Sequence, residues 1–371
     1  MKELLIKLVQ AESTAQKGEL AAARIITEDF ARSAVDCRID SWDQNRANVK
    51  AEIKSAEQKD ALLFVCHLDV VAAGKDGWSY PPFAAVESNG RIYGRGSTDM
   101  KGGTAAAVTA VRQIVDSKTP LKGDIIFAAL AGEETDSCGA ARFISGLKNK
   151  SQKLTGIVVP EPTGFDVVTA HRGILWLEIN TAGKAAHSSA PELGVNAITS
   201  MKLLLNALDN YKIQFEPHKL LGNCSMSINT IAGGKEINVV PDNCSIAIDI
   251  RTLPGQNHEE IISRFEKIFA EIKQKNPQFE ASVSVVRQIA AMETDSNCDF
   301  VKNFCSVVGA SKTKAVGFTT DGPYFASLCV PIVIFGPGKP QLAHKPNEYI
   351  DIADLQKAVE YYKKIILKFL A

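Results

Sequence analysis

The chain has 371 residues and carries 42 Lys+Arg against 42 Asp+Glu, a balance that removes any broad attraction to nucleic acid or to an anionic membrane surface. Hydrophobic residues make up 45% and charged residues 23%, which excludes disorder as the main state and supplies a sizeable core. At roughly 100–200 residues per domain, two domains are expected.

At the N-terminus, Leu4, Leu5, Leu8 and Val9 share one helical face, interrupted by Glu3 and Lys7, so the segment reads as an amphipathic helix and not as an export signal. Ala61–Leu68 is a short continuous apolar run, as expected for a strand covered on both faces. Gly102–Val115 reads as a helix, Gly123–Ala131 as a second buried strand, Ser137–Leu147 as a helix and Leu154–Val159 as a third strand. Ile174–Ala182 alternates apolar and polar residues, the mark of a half-buried antiparallel strand. Asn196–Leu208 and Glu259–Lys275 read as amphipathic helices, with Cys224–Ile231, Cys244–Arg251 and Ala281–Gln288 as strands. This β-α-β-β-α-β order is a ferredoxin-like α+β unit, placed as an insertion at 173–288. Val330–Phe335 is a further strand, in the part of the chain that returns to the first domain. The expected architecture is α/β: a catalytic domain of residues 1–172 and 289–371 with a mostly parallel central sheet, plus the inserted domain. No apolar run reaches the ~20 residues of a membrane-spanning helix. The eight cysteines form no CxxC pair, so reduced thiols and a cytoplasmic setting are expected.

Five short segments carry candidate chemistry: His67-Leu-Asp69, Gly94–Lys101, Glu133-Glu134, Glu161-Pro-Thr and His344 within LAHKPNEY. Four of them fall at or just beyond the C-terminal ends of predicted strands, the edge where open α/β sheets build sites. Two His and three carboxylates suit a metal, zinc first among them. Asp69, two residues after His67, is placed to accept its ring N–H. Asp99 follows a Gly-rich turn and is a candidate bridge between two ions. Of the adjacent Glu133 and Glu134, one suits metal binding and the other general-base work on water. Each segment alone has a plain structural reading, such as a glycine turn or a solvated acidic helix start. GRGSTD lacks the third Gly of a dinucleotide loop, and Gly336-Pro-Gly-Lys-Pro has no Ser/Thr after its Lys, so neither is a nucleotide site. Cys66 and Cys138 read as packing residues, with no base placed to activate them.

The segments HLDVV (67–71), YGRGSTDMKGG (93–103), GEE (132–134), PEPT (160–163) and AHKPNEY (343–349), together with AHSSAPELGVNAI (186–198), INVVPDNC (237–244) and DIRTLPG (249–255), resemble the acetylornithine deacetylase / succinyl-diaminopimelate desuccinylase group of two-zinc amidohydrolases, with its aminoacylases and carboxypeptidase G type enzymes. The resemblance implies a zinc-peptidase-like catalytic domain with an inserted lid and dimerisation domain. It implies two zinc ions per subunit, with cobalt or manganese as substitutes in vitro. His67 and Glu161 would hold one ion, Glu134 and His344 the other, and Asp99 both. Asp69 would orient His67, Glu133 would be the catalytic base, and His187 would reach the active site of the partner subunit to stabilise the oxyanion. Arg251 and Asn238 match positions near the substrate carboxylate, with Arg172, Thr319 and the Gly336–Gly338 loop as further candidates. Arg251 has an alternative as the partner of an acidic neighbour, Asn238 as a turn cap and His187 as an ordinary loop histidine. A cis peptide bond between Asp99 and Met100 is also implied. The substrate implied is a small N-acyl amino acid, acetylornithine first. Succinyl-diaminopimelate, carboxypeptidase and dipeptidase substrates are the alternatives within the family, and a catalytically silent metal- or metabolite-binding homologue is the alternative outside it.

Overall fold

The computed structural model describes residues 1–57, 59–147 and 153–371. Helices α1 (Lys2–Gln10) and α2 (Leu20–Ala31) come first, then strands β1 (Asp36–Trp42), β2 (Arg46–Ile53) and β3 (Lys59–His67). Short strands β4 (Val86–Ser88) and β5 (Arg91–Tyr93) precede α3 (Lys101–Asp116), β6 (Gly123–Leu130), α4 (Cys138–Leu147), β7 (Leu154–Val159) and β8 (Val168–His171). Next come β9 (Gly173–Ala182), α5 (Ala197–Leu208), β10 (Ser225–Gly233), β11 (Asn243–Thr252), α6 (His258–Lys275) and β12 (Glu280–Ile289). The chain finishes with β13 (Met292–Glu293), α7 (Asp299–Val308), β14 (Lys314–Val316), β15 (Ile332–Ile334), β16 (Tyr349–Asp351) and α8 (Ile352–Leu370).

These elements divide into two units. The first takes Met1–Thr169, Thr294–Lys314 and Thr320–Ala371; the second takes Ala170–Glu293 and Ala315–Thr319. The second unit therefore reaches beyond the expected 173–288 at both ends and includes a returning segment, which carries Thr319 with it.

In the first unit the sheet runs β1-β2-β6-β3-β7-β15-β8. Its centre is parallel, β6 with β3, β3 with β7 and β7 with β15, and antiparallel strands flank it. Every residue of β6 is buried, as is β3 from Ala61 onward, because helices cover a parallel sheet on both faces. Helices α3 and α8 pack together over β3 and β6. Tyr362 of α8 is fully buried, meets Phe64 edge-on and satisfies its hydroxyl on the Phe335 carbonyl at 3.0 Å. The N-terminal helix buries Leu4, Leu5, Leu8 and Val9 as the pattern predicts. The β1–β2 hairpin was not legible in the sequence: β1 is largely exposed and shows no apolar run.

In the second unit the sheet order is β10-β11-β9-β12, antiparallel throughout. With α5 and α6 this is the β-α-β-β-α-β order of a ferredoxin-like unit. Its core joins Leu175, Leu177 and Ile179 of β9 and Ile246, Ile248 and Ile250 of β11 to Met201, Leu204, Phe265 and Phe269 of the helices. Both helices start on an asparagine cap: Asn196 accepts from the N–H of Ile198 and Thr199, and Asn257 from that of Glu259, satisfying amides that have no partner within the helix. Strand β10 stands at the sheet edge, bulged between Ile228 and Thr230 and exposed along most of its length. Among the described residues no helix is long and apolar enough to cross a membrane, and all eight cysteines are free thiols.

Candidate metal centre

The C-terminal edge of the parallel strands gathers the candidate residues. β3 ends on His67, with Asp69 in the turn after it; Glu133 and Glu134 follow β6; Glu161 follows β7; Asp99 precedes α3; His344 lies between β15 and β16. All belong to the first unit. Two glycines let the turns approach. A Cβ at Gly103 would lie 1.9 Å from the Pro160 carbonyl oxygen, and one at Gly336 would lie 2.5 Å from the same atom. The Pro160–Glu161 turn is thus wedged between α3 and the end of β15, where no larger side chain fits. The Asp99–Met100 peptide bond is cis.

Asp99 is the centre of the cluster. Its Oδ1 lies 3.1 Å from His67 Nε2 and its Oδ2 3.3 Å from His344 Nε2. On the first side Glu161 Oε1 is 3.6 Å from His67 Nε2; on the second Glu134 Oε1 is 2.9 Å from His344 Nε2. Two triads result, His67–Asp99–Glu161 and Asp99–Glu134–His344, with the ligand atoms of each within 4.8 Å of one another. One imidazole nitrogen and two carboxylate oxygens at that spacing are a donor set for a divalent ion such as zinc. Asp99 offers one oxygen to each triad, so the residues fit a pair of ions.

Protonation agrees with that fit. His67 Nδ1 lies 3.0 Å from the main-chain oxygen of Asp69; it carries the hydrogen, and Nε2 is left to face the ligand oxygens. Burial pushes the Glu161 carboxyl well above its usual range, and the charge of Asp99 adds to this. Burial does the same to Glu133, against the pull of His67 and with a push from Glu134 and the buried Asp321. Hydrogen bonds to Asp99 and Glu134 drive His344 up to about 10. The cluster demands positive charge, from protons or from cations, and cation binding must release protons. His344 also has a left-handed backbone, φ 63°, uncommon outside glycine.

One expected contact is different. Asp69 orients His67 through its carbonyl, while its carboxylate Oδ1 is 3.7 Å from the ring. That carboxylate instead accepts three main-chain N–H groups: Gly132 at 3.0 Å and Glu133 at 3.1 Å on Oδ1, and Glu134 at 3.0 Å on Oδ2. It shapes the turn that presents both glutamates. Two residues of β2, which the sequence did not single out, complete the support. Buried Asn48 accepts from Ala131 N–H and donates to the Gly139 carbonyl, closing the loop between them. Arg46 donates to buried Glu19 at 3.1 Å and to Asp136 at 3.3 Å, with Cys138 Sγ 3.0 Å away. An asparagine between Ala47 and Val49, in the buried stretch of β2, was the available signal. Burial pushes the thiols of Cys66 and Cys138 up to about 12, so both are inert near neutral pH.

The remaining candidates divide. Gly336 is not free to serve a substrate: its N–H donates to Thr163 Oγ1 at 3.2 Å and its carbonyl accepts from Phe165 N–H at 3.1 Å. His187, Asn238, Arg251, Arg172 and Thr319 belong to the second unit. There, exposed His187 bridges to Val239, and Ser188 N–H donates to the Asn238 carbonyl at 3.1 Å, so the His187 and Asn238 loops run side by side. Arg251 pairs with Asp249, both bonds at 3.1 Å, which is the acidic-neighbour alternative. Arg172 donates to the main-chain oxygens of Leu221 and Asn223 and is committed to that loop. Thr319 is half-buried.

Known proteins with this organisation were found by sequence and by structure. The model of peptidase family M20/M25/M40 matches residues 63–368. Over 408 residues the chain is 28% identical to a Staphylococcus aureus (strain MSSA476) protein named probable succinyl-diaminopimelate desuccinylase, with 99% of this chain and 97% of that one covered. Over 313 residues it is 30% identical to acetylornithine deacetylase of Proteus mirabilis (strain HI4320), with 83% and 79% covered. The fold is shared with the M20 family metallo-carboxypeptidase Sso-CP2 of Sulfolobus solfataricus, at a TM-score of 0.79, 21% identity and 98% coverage of both chains. A family match over most of the chain, carried on the fold of a solved member, makes this protein a metal-dependent amidohydrolase of peptidase family M20/M25/M40.

Proposed function

We propose that the enzyme cleaves the amide bond of a small N-acyl amino acid, most like acetylornithine deacetylase, using two zinc ions held by His67, Asp99 and Glu161 and by Asp99, Glu134 and His344. The observation that carries this reading is the pair of triads sharing Asp99, with Glu133 buried beside them. The ions, when bound, polarise the scissile carbonyl and lower the pKa of the attacking water to about 7. Glu133 takes the proton from that water and delivers it to the leaving amine nitrogen. His187 donates a hydrogen bond to the developing oxyanion, while Asn238 and Arg251, the latter in exchange for Asp249, face the substrate carboxylate. A cytoplasmic setting, in keeping with eight free thiols, belongs to the same proposal.

The second reading within the family is desuccinylation, favoured by the S. aureus relatives that the chain matches over 99% of its length. Against it, Pro323 follows Gly322 where many desuccinylases carry an arginine, and a succinyl group brings a second carboxylate that needs a donor. The deciding experiment is amine release from N-acetylornithine, N-succinyl-diaminopimelate, N-acetylmethionine and an acidic dipeptide, each with added zinc and with chelator. Chelator-sensitive turnover of N-acetylornithine is the expected result. Turnover of the succinylated substrate alone would reverse the order of the two readings, and turnover that chelator leaves intact would remove the two-metal mechanism.

The proposed assembly is a homodimer through the second unit. Strand β10 offers it an edge with Ile228 and Ile231 exposed, and α5 adds exposed Ile198; such an edge is commonly covered by another chain. His187→Ala is expected to lower kcat by about 10²–10³-fold, the loss typical of one oxyanion donor. Mixing that variant with Glu133→Gln tests the assignment to the partner subunit. Activity returns in the mixed dimer if His187 acts across the interface, and stays absent if it acts within its own chain.

A further inference from the structure

Glu348 has no place in the mechanism above, yet its side chain is wholly buried. Its carboxylate collects four donors. Oε1 accepts the main-chain N–H of Thr98 at 2.9 Å and of Asp99 at 3.1 Å; Oε2 accepts Gly96 N–H at 3.0 Å and Arg95 Nη1 at 2.7 Å. Arg95 is itself buried, so the charge of Glu348 is balanced where water does not reach it. The main chain repeats the link, with Gly94 N–H donating to the Glu348 carbonyl at 2.9 Å and Thr98 Oγ1 donating to the Tyr349 carbonyl.

This arrangement joins two segments that lie about 250 residues apart in the chain. One is the Gly94–Asp99 turn, whose Gly96, Thr98 and Asp99 N–H groups converge on the carboxylate as a nest that favours an anion. The other is the segment that carries His344, four residues before Glu348. The last donor in the nest is the amide of Asp99 itself. His67 and Glu161 take their positions from the ends of β3 and β7, and Glu134 from the turn held by Asp69. His344 follows only a single short 3-10 turn, Pro340–Leu342, and lies in the irregular stretch between it and β16. Asn347 ties the His344 segment to Gly77 and Ser79, and the carboxylate of Glu348 is the side chain that bonds it to the Asp99 backbone itself.

We infer that Glu348 is the positioning residue for the second ion site, setting Asp99 and His344 at the spacing that the Asp99–Glu134–His344 triad needs. The inference rests on the two-metal reading. Glu348→Gln keeps the volume but turns an NH₂ group against two of the four donors, which pushes the nest apart. Glu348→Asp keeps the charge but shortens the reach.

Cobalt(II) titration of the intact protein, followed by visible absorption and calorimetry, separates the two sites. The unaltered protein is expected to take two ions. In Glu348→Gln the step that Glu134→Ala abolishes, and so belongs to the second site, is expected to lose about 10–100-fold in affinity, as for loss of a group that orients a ligand, while the other step changes less than threefold. Saturating cobalt is expected to recover most of kcat, a rescue that a purely structural defect would not show. An unchanged second-site step, or equal weakening of both steps, overturns the inference. If Glu348→Gln fails to fold by circular dichroism, the same titration of Glu348→Asp decides between the same outcomes. Failure of the unaltered protein to take two ions would strike the two-metal reading itself, a result distinct from selective loss at the second site.

Discussion

Glu133→Gln is expected to keep two divalent ions bound and to lose about 10²–10⁴-fold in kcat, the contribution of a placed general base. The geometry places the two adjacent glutamates differently. Glu134 Oε1 is 2.9 Å from His344 Nε2 and belongs to a triad. Glu133 belongs to neither triad, is only 7% exposed and lies close enough to His67, Glu134 and Asp321 to feel their charges. Burial and those carboxylates raise its proton affinity, which suits a group that must hold a proton between two transfers. Glutamine has the same shape and accepts a hydrogen bond, but it cannot take the proton. Metal content by elemental analysis and kcat on the best substrate of the panel are the two measurements. Retained turnover with retained metal would move the base elsewhere, and loss of metal in this variant would make Glu133 a ligand.

The strands that carry the site were legible because burial on both faces writes itself as an apolar run. Ala61–Leu68, Gly123–Ala131 and Leu154–Val159 emerge as β3, β6 and β7 within one or two residues. The helices of the second unit were legible to a residue because their apolar residues recur on one face, and Asn196 and Asn257 cap their starts. The candidate ligands were legible because His and carboxylates gathered at strand ends are an unusual combination, and four such segments recur in one chain. The supports were not. Asn48, Arg46 and Glu348 are polar residues of ordinary type, and their roles arise only when distant segments meet, as when the Glu348 carboxylate closes on the Gly96, Thr98 and Asp99 amides. Asp69 shows the same limit from the other side. Its spacing from His67 identified the right pair, but the partner atom on Asp69 is a carbonyl, and what the carboxylate does depends on where β6 ends. Gly336 carried a motif-level expectation that its hydrogen bond qualifies, because a motif specifies neighbours in sequence and this contact is with distant Thr163; Arg251 pairs with Asp249 of its own motif, the alternative its sequence already offered.

Asp69→Ala is expected to destabilise the first unit by at least about 3 kcal/mol, because it leaves three main-chain donors without their acceptor in a largely buried turn and each orphaned N–H costs about 1–3 kcal/mol. The loss is a large share of the 5–15 kcal/mol that typically holds a domain together. Asp69→Asn is the graded test. With its oxygen in the place of Oδ1 it still accepts from Gly132 and Glu133, and its NH₂ then opposes the N–H of Glu134. One contact is lost instead of three, so a destabilisation of about 1–3 kcal/mol is expected. The shift of the urea midpoint gives the order Ala above Asn, and faster hydrogen exchange at the amides of Gly132, Glu133 and Glu134 locates it. Because the same turn presents Glu133 and Glu134, kcat of the folded Asn variant is expected to fall by about 10²-fold, the usual consequence of misplacing reacting groups by about 1 Å. Were Asp69 only a partner for the His67 ring, exchange at those three amides would stay as slow as in the unaltered protein and the midpoint would move little. The dependence on all three amides makes the carboxylate of Asp69, and not its carbonyl, the element that ties the shape of the β6 turn to the chemistry it serves.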